Sequence, residues 1–97
     1  MVGAGGAGLF TALSAARLGA RVALVSATPL AATASYWAQG GLAAALAEDD
    51  TPELHLRDTI RAGRGIVRPS AAEVLCAEAP DRVRDLEAAR ALFAQIG

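Results

Sequence analysis

The stretch Gly3-Ala4-Gly5-Gly6-Ala7-Gly8 decides the fold of this chain. Its glycines have the spacing G-x-G-x-x-G, and it is followed by an apolar helical pattern and then by the β-rich run Val22-Ala23-Leu24-Val25. The order of strand end, tight turn, helix and strand is the first half of a dinucleotide-binding βαβ unit. We therefore predict that this turn binds the pyrophosphate of a dinucleotide.

Each glycine of the turn has a separate physical role in such a unit. Gly3 permits the tight turn, and Gly5 has no Cβ, so a pyrophosphate can approach the backbone. Gly8 allows the helix to pack closely on the strands. The helix N-terminus then offers unpaired N–H groups and a partial positive charge to the phosphates. The alternative is a glycine-rich turn that serves packing alone.

The remaining pattern predicts helices rather than a regular β/α alternation. We expect a helix from about Gly6 to Leu18 that stops at Gly19, and then a strand over Arg21–Ser26. The region Ser35–Leu46 is ambiguous between strand and helix. Three later helices are predicted. The first runs from Pro52 to about Ala62, with Thr51 as its N-cap and a stop at Gly63. The second begins at a capping box formed by Ser70 and Glu73 and ends near Ala79, before Pro80, and the third spans Asp81–Gln95. The fold class is therefore α/β, a partial Rossmann-like domain with a βαβ start followed by helices.

The first strand of the unit is predicted to be truncated. Only Met1 and Val2 precede Gly3, whereas such a strand usually has five or six residues. We therefore expect residues 1–97 to be the N-terminal part of a dinucleotide-binding domain within a longer protein.

Composition excludes several classes of partner. The formal net charge is −1, which disfavours nucleic acid and anionic membranes as main partners. No apolar run approaches the roughly 18 residues of a transmembrane helix. Cys76 is the only cysteine, so it forms no internal disulfide and fits a reducing cytoplasm, where we expect it to be a buried structural thiol. No cluster of Cys, His and carboxylates has metal-binding spacing.

A second stretch carries a resemblance to a known family. Ser35-Tyr36-Trp37-Ala38-Gln39-Gly40-Gly41-Leu42-Ala43-Ala44, followed by His55-Leu56-Arg57-Asp58-Thr59-Ile60-Arg61-Ala62-Gly63, resembles the L-aspartate oxidase branch of the succinate dehydrogenase/fumarate reductase flavoprotein family. The A-Q-G-G-L-A-A string is the most specific part of the match. The resemblance covers essentially the whole chain, but only the N-terminal fifth or so of such an enzyme.

The resemblance implies FAD as the cofactor and assigns residues to it. The turn from Gly3 to Gly8 would hold the pyrophosphate, and Ser26 would lie beside the adenosine ribose, with a strand-capping serine as the alternative. The loop beside the ribityl chain and flavin ring would comprise Ala34, Ser35, Tyr36, Trp37, Ala38, Gln39, Gly40 and Gly41. The respiratory members carry FAD covalently on a histidine where this chain has Ala34, so the resemblance implies non-covalent FAD. The oxidases commonly have a lysine where this chain has Ala27, so one contact near the FAD is lost.

The resemblance also implies an activity. The complete enzyme would oxidise L-aspartate to iminoaspartate in de novo NAD biosynthesis, with oxygen or fumarate as electron acceptor, in the cytoplasm. No catalytic residue is assigned within this chain, because His55 fits a packed or capping role better than a catalytic one. The alternatives are a fumarate reductase or succinate dehydrogenase flavoprotein subunit, and a truncated non-catalytic remnant. A nicotinamide-binding module is disfavoured, because the second strand ends in Ser26 rather than in an acidic residue.

Overall fold

The computed structural model describes the backbone of residues 1–96 and the side chains of residues 1–90. It divides into two compact units, Met1–Gly40 and Gly41–Gly97. The glycine turn and the first helix lie in the first unit. The second unit consists mainly of two helices.

The first unit is built on helix α1, Gly6–Arg17. Leu18 is its C-cap, and Gly19 follows with a φ of 88°, a left-handed conformation in which glycine carries no steric penalty. The helix predicted after the glycine turn is therefore present, and it ends where the sequence indicated.

The strand predicted over Arg21–Ser26 is wrong in this structure. No strand is assigned within residues 1–96, and a single parallel bridge joins Val2 to Val25. Two backbone hydrogen bonds hold the bridge: Val25 N–H donates to Met1 O at 2.9 Å, and Gly3 N–H donates to Val25 O at 2.8 Å. A strand needs a partner along its length, and the backbone turns away at Gly3, so the pairing does not extend into a ladder. The βαβ unit in its full form is not confirmed.

The remainder of the first unit is short-range structure. A 3₁₀ turn over Leu30–Ala32 leads into helix α2, Ala34–Trp37. Thr33 is the N-cap of α2, and its hydroxyl accepts a hydrogen bond from Tyr36 N–H at 3.4 Å. The ambiguous region Ser35–Leu46 therefore begins in one helical turn, and its remaining residues are neither helix nor strand.

The second unit pairs helix α3, Pro52–Ala62, with helix α4, Pro69–Ile96. Helix α3 begins as its sequence predicts, because the Thr51 hydroxyl accepts from Leu54 N–H at 3.2 Å and Pro52 occupies the first turn. The buried residue Cys76 lies between the helices, with its Sγ 3.9 Å from the Thr59 hydroxyl. The prediction of a buried cysteine is therefore confirmed.

The break predicted at Pro80 is wrong, since α4 continues through that residue. Proline removes one helical hydrogen bond, which is a local cost, and the rest of α4 remains helical and packs against α3. The capping box is also wrong. Helix α4 begins at Pro69, and Ala71 and Ala72 N–H donate to Arg68 O, which places Ser70 inside the first turn rather than before it. The side chains of the predicted Asp81–Gln95 helix beyond residue 90 lie outside the described residues.

Among the helices that the structure describes, none combines the length and the apolar character needed to cross a membrane.

Candidate cofactor-binding site

The glycine turn brings the start of the chain into very close contact with helix α1. Gly3 has a φ of 105°, in the left-handed region that favours glycine. A Cβ added to Gly8 would lie 1.9 Å from Gly3 O and 2.9 Å from the Gly3 carbonyl carbon, both backbone atoms. The sequence predicted that Gly8 allows α1 to pack closely on a neighbouring segment. In the structure that neighbour is the backbone of Gly3, within the turn itself. A side chain at Gly8 would move the turn relative to the helix, whereas one at Gly3 would strain the backbone without meeting a neighbouring atom.

The N-terminus of α1 is capped from a distant part of the chain. Gly5 is the N-cap and has no side chain to satisfy the first N–H groups of the helix. Gly6 N–H instead donates to the Ser35 hydroxyl at 3.0 Å, across 29 positions in sequence. This hydrogen bond brings together two segments that the sequence assigned separately to the cofactor, namely the glycine turn and the loop that begins at Ala34.

A cavity of about 480 Å³ opens in front of this helix N-terminus. It lies wholly within the first unit. Its lining comprises Met1, Val2, Gly3, Gly5, Gly6, Ala7, Gly8, Thr11 and Ser35. Ala4, the remaining residue of the turn, is buried and does not line the cavity. Sequence reasoning missed Thr11, although its position one helical turn after Gly8 places it on the same face of α1.

Ser26 lies next to the turn but its hydroxyl is engaged locally. It directly follows Val25, whose carbonyl accepts from Gly3 N–H. The Ser26 hydroxyl donates to Thr28 O at 2.8 Å and lies 3.4 Å from Thr28 N. Contact with a ribose would require this hydroxyl to exchange its local partner for the ligand.

The aromatic pair of the predicted flavin loop is exposed. Tyr36 and Trp37 form a T-shaped pair with ring centroids 5.5 Å apart, and 63% and 70% of their surfaces are exposed. The Trp37 indole N–H donates to Ala31 O, which fixes that ring against the preceding 3₁₀ turn. Ala34 is the first residue of α2, and Ala38 is its C-cap. Gln39 is exposed, and a Cβ added to Gly40 would meet no atom within 4 Å.

Gly41 and His55 lie in the second unit, where they line a different cavity of about 420 Å³. The other lining side chains are largely apolar and come mainly from α4, including Val74, Leu75 and Val83. The His55 Nδ1 atom is buried and has no hydrogen-bond partner among the described residues. Within the same residues, no group of three or more His, Cys, Asp or Glu is placed to hold a metal ion.

The first cavity has the chemistry that a dinucleotide pyrophosphate requires. The first turn of α1 contains no acidic residue, so nothing there opposes a phosphate. The glycines leave the backbone accessible, and the helix supplies N–H donors and a partial positive charge. Side chains at the glycine positions of the turn would fill this cavity, since a Cβ at Gly5 would already lie 3.3 Å from the Ser35 hydroxyl.

The chain belongs to the FAD-binding domain family, whose model matches residues 1–96. FAD is therefore the cofactor of this domain. The resemblance indicated by the A-Q-G-G motif and the glycine turn is confirmed by individual relatives. Three of them, each described as an L-aspartate oxidase, are compared with this chain below.

The relative from Caulobacter vibrioides is 55% identical over 95 residues, covering 96% of this chain and 19% of that protein. The relative from Nostoc is 48% identical over 89% of this chain and 15% of that protein. The relative from Streptomyces coelicolor is 47% identical over 96% of this chain and 16% of that protein. This chain thus spans less than a fifth of the length of these relatives. No solved structure gives a significant match.

Proposed function

We propose that this chain is the FAD-binding segment of an enzyme that oxidises L-aspartate to iminoaspartate in the de novo synthesis of NAD. The observation that supports the proposal best is the 55% identity to the L-aspartate oxidase of Caulobacter vibrioides over 96% of this chain. The electron acceptor we propose is oxygen or fumarate, and the compartment is the cytoplasm.

In this proposal the chain's own residues bind and orient the cofactor. The backbone N–H groups at the start of α1 hold the pyrophosphate, and Ser26 exchanges its bond to Thr28 for one to the adenosine ribose. The loop from Ala34 to Gly41 lies along the ribityl chain and the flavin. The flavin, when bound, supplies a hydride acceptor for the α-carbon of the amino acid, and the protein contributes its orientation.

The cofactor is held without a covalent bond in this proposal. Ala34 occupies the position at which the respiratory members of the resembling family carry the flavin-linked histidine, and an alanine methyl group cannot form that bond. This position favours the oxidase over a respiratory fumarate reductase or succinate dehydrogenase subunit. Residues 1–97 by themselves are expected to be catalytically inactive, because we assign no catalytic residue within this chain.

The proposal can be tested in a chimera in which residues 1–97 replace the matching segment of the Caulobacter vibrioides enzyme. A host is needed because the hydrophobic core of the described residues comprises only Ala4, Ala45, Ala72 and Cys76. We expect L-aspartate, added without oxygen, to bleach the flavin of the chimera at a rate within about tenfold of the parent enzyme, one factor of ten being 1.4 kcal/mol of barrier. Succinate should leave the flavin oxidised.

The parent enzyme is the positive control for this measurement. A folded chimera that retains flavin but is not bleached by L-aspartate would confine the segment to FAD binding and contradict the proposed activity.

A further inference from the structure

The cavity of about 420 Å³ in the second unit is an open apolar groove. Leu42, Val74 and Leu75 line it, and 73%, 57% and 60% of their surfaces are exposed. Single exposed apolar side chains are ordinary, but several that share one groove form a patch of the kind that marks an interaction site. The groove also contains the exposed charged residues Glu78 and Arg82, four positions apart on α4. Apolar surface accompanied by exposed charges is the usual composition of a protein interface.

His55 adds a polar requirement to this groove. It lines the groove, and its Nδ1 atom is buried without a hydrogen-bond partner among the described residues. A buried polar atom that stays unpaired is unfavourable, and nearly all such atoms in folded proteins have a partner. An occupant of the groove must therefore bring a hydrogen-bonding group as well as apolar surface.

A polypeptide segment meets both requirements, because it carries apolar side chains together with backbone N–H and C=O groups. This chain corresponds to 19% of the relative from Caulobacter vibrioides, so most of such an enzyme lies outside these residues. A segment of the same polypeptide also has a high effective concentration at the groove, which a separate molecule lacks. These facts favour a segment of the same enzyme over a second copy of it.

We propose that this groove is the docking site for a segment of the same enzyme outside residues 1–97, which fills it with apolar side chains and forms a hydrogen bond with His55 Nδ1. The proposal rests on the proposed function only in placing the chain within a longer enzyme of the L-aspartate oxidase type. It gives His55 a docking role, which extends the packed role predicted from the sequence.

Thiol labelling of the chimera measures whether the groove is covered. Leu75→Cys places a reporter in the groove, and Glu73→Cys is the matched control, because Glu73 is exposed on the same helix and does not line the groove. We expect N-ethylmaleimide to label Leu75→Cys at least about 100-fold more slowly than Glu73→Cys, since a covered thiol reacts only when the segment opens. Mass spectrometry of the labelled peptides separates each reporter from Cys76 and from any cysteine of the host.

The hydrogen bond of His55 is tested in the Leu75→Cys chimera. His55→Leu should raise the labelling rate by about tenfold, because the docked segment loses a hydrogen bond and its own polar group is left unpaired. His55→Asn keeps a polar atom at the position of Nδ1 and should label within about threefold of Leu75→Cys alone. An unchanged or lower rate in His55→Leu would show that Nδ1 has no partner in the enzyme and would overturn this part of the proposal.

Equal labelling of Leu75→Cys and Glu73→Cys in the folded chimera would overturn the proposal, because the groove would then be no better covered than the exposed face of α4. Protection that disappears on dilution would also overturn it, by showing that a second copy covers the groove. If Leu75→Cys does not fold, Val74→Cys in the same groove replaces it. The labelling rates do not depend on catalysis, so a protected chimera that L-aspartate fails to bleach would contradict the proposed function alone.

Discussion

Replacing Gly8 by alanine in the chimera is expected to weaken FAD binding by at least about 100-fold. The new Cβ would lie 1.9 Å from Gly3 O, and backbone atoms on both sides must move to admit it. That movement separates the turn from the N-terminus of α1 and misaligns the N–H donors, each of which contributes about 1.5–3 kcal/mol to holding a charged group. Titration of the flavin-free protein with FAD measures the loss.

Gly19→Ala is the control for this prediction. It is the same substitution just beyond the opposite end of α1, at a φ of 88°, and its Cβ would meet no atom within 4 Å. The strained backbone should cost about 1–2 kcal/mol of stability without altering the cavity. FAD affinity within about twofold of the unaltered chimera is expected for this variant. Equal losses in the two variants would show that Gly8 acts through stability alone.

Replacing Gly5 by valine is expected to abolish FAD binding while preserving the fold. A Cβ at Gly5 would contact only the Ser35 hydroxyl, at 3.3 Å, so the apoprotein can accommodate it with a small shift. The branched methyl groups would then occupy the cavity of about 480 Å³ at the place where a phosphate must approach the backbone. We expect FAD affinity to fall by about 100-fold or more. This loss corresponds to the larger part of the binding free energy that the phosphate contacts provide.

Ala16→Val provides the comparison for Gly5→Val. It also adds a β-branched side chain, but on an exposed position of α1 that does not line the cavity. Its cost is limited to helix propensity, a few tenths of a kcal/mol, and FAD binding should be unchanged. Circular dichroism of both variants should match the unaltered chimera. Normal flavin occupancy in a folded Gly5→Val protein would show that the turn serves packing alone.

Helix ends were predictable from the sequence because capping is local chemistry. Thr51 and Pro52 start α3, and Gly19 follows α1, as their side chains and backbone preferences indicate. Pro80 shows the limit of local rules, since α4 continues through it although proline cannot donate the helical hydrogen bond. The strand at Arg21–Ser26 failed for a related reason. A strand depends on a partner segment, and here the partner provides one bridge at Val2.

The candidate site also combines features that the sequence predicted with features that it did not predict. The spacing of Gly3 and Gly8 predicted both a tight turn and a close approach, because each follows from the absence of a Cβ. The bond from Gly6 to Ser35 spans 29 positions, and no periodicity or motif contains it. The assignment of Gly40 and Gly41 to the loop beside the cofactor stays a prediction, since neither has a positive φ or a close neighbour that requires glycine.

Acid precipitation of the chimera tests the central claim most directly, because it asks both whether this segment holds FAD and how. The chimera should purify yellow with about one flavin per chain, and trichloroacetic acid should release all of it into the supernatant as intact FAD, since Ala34 offers no nucleophile for a covalent bond. A folded but colourless chimera would contradict the assignment of the glycine turn to FAD. Flavin that remains with the precipitate would contradict the non-covalent site.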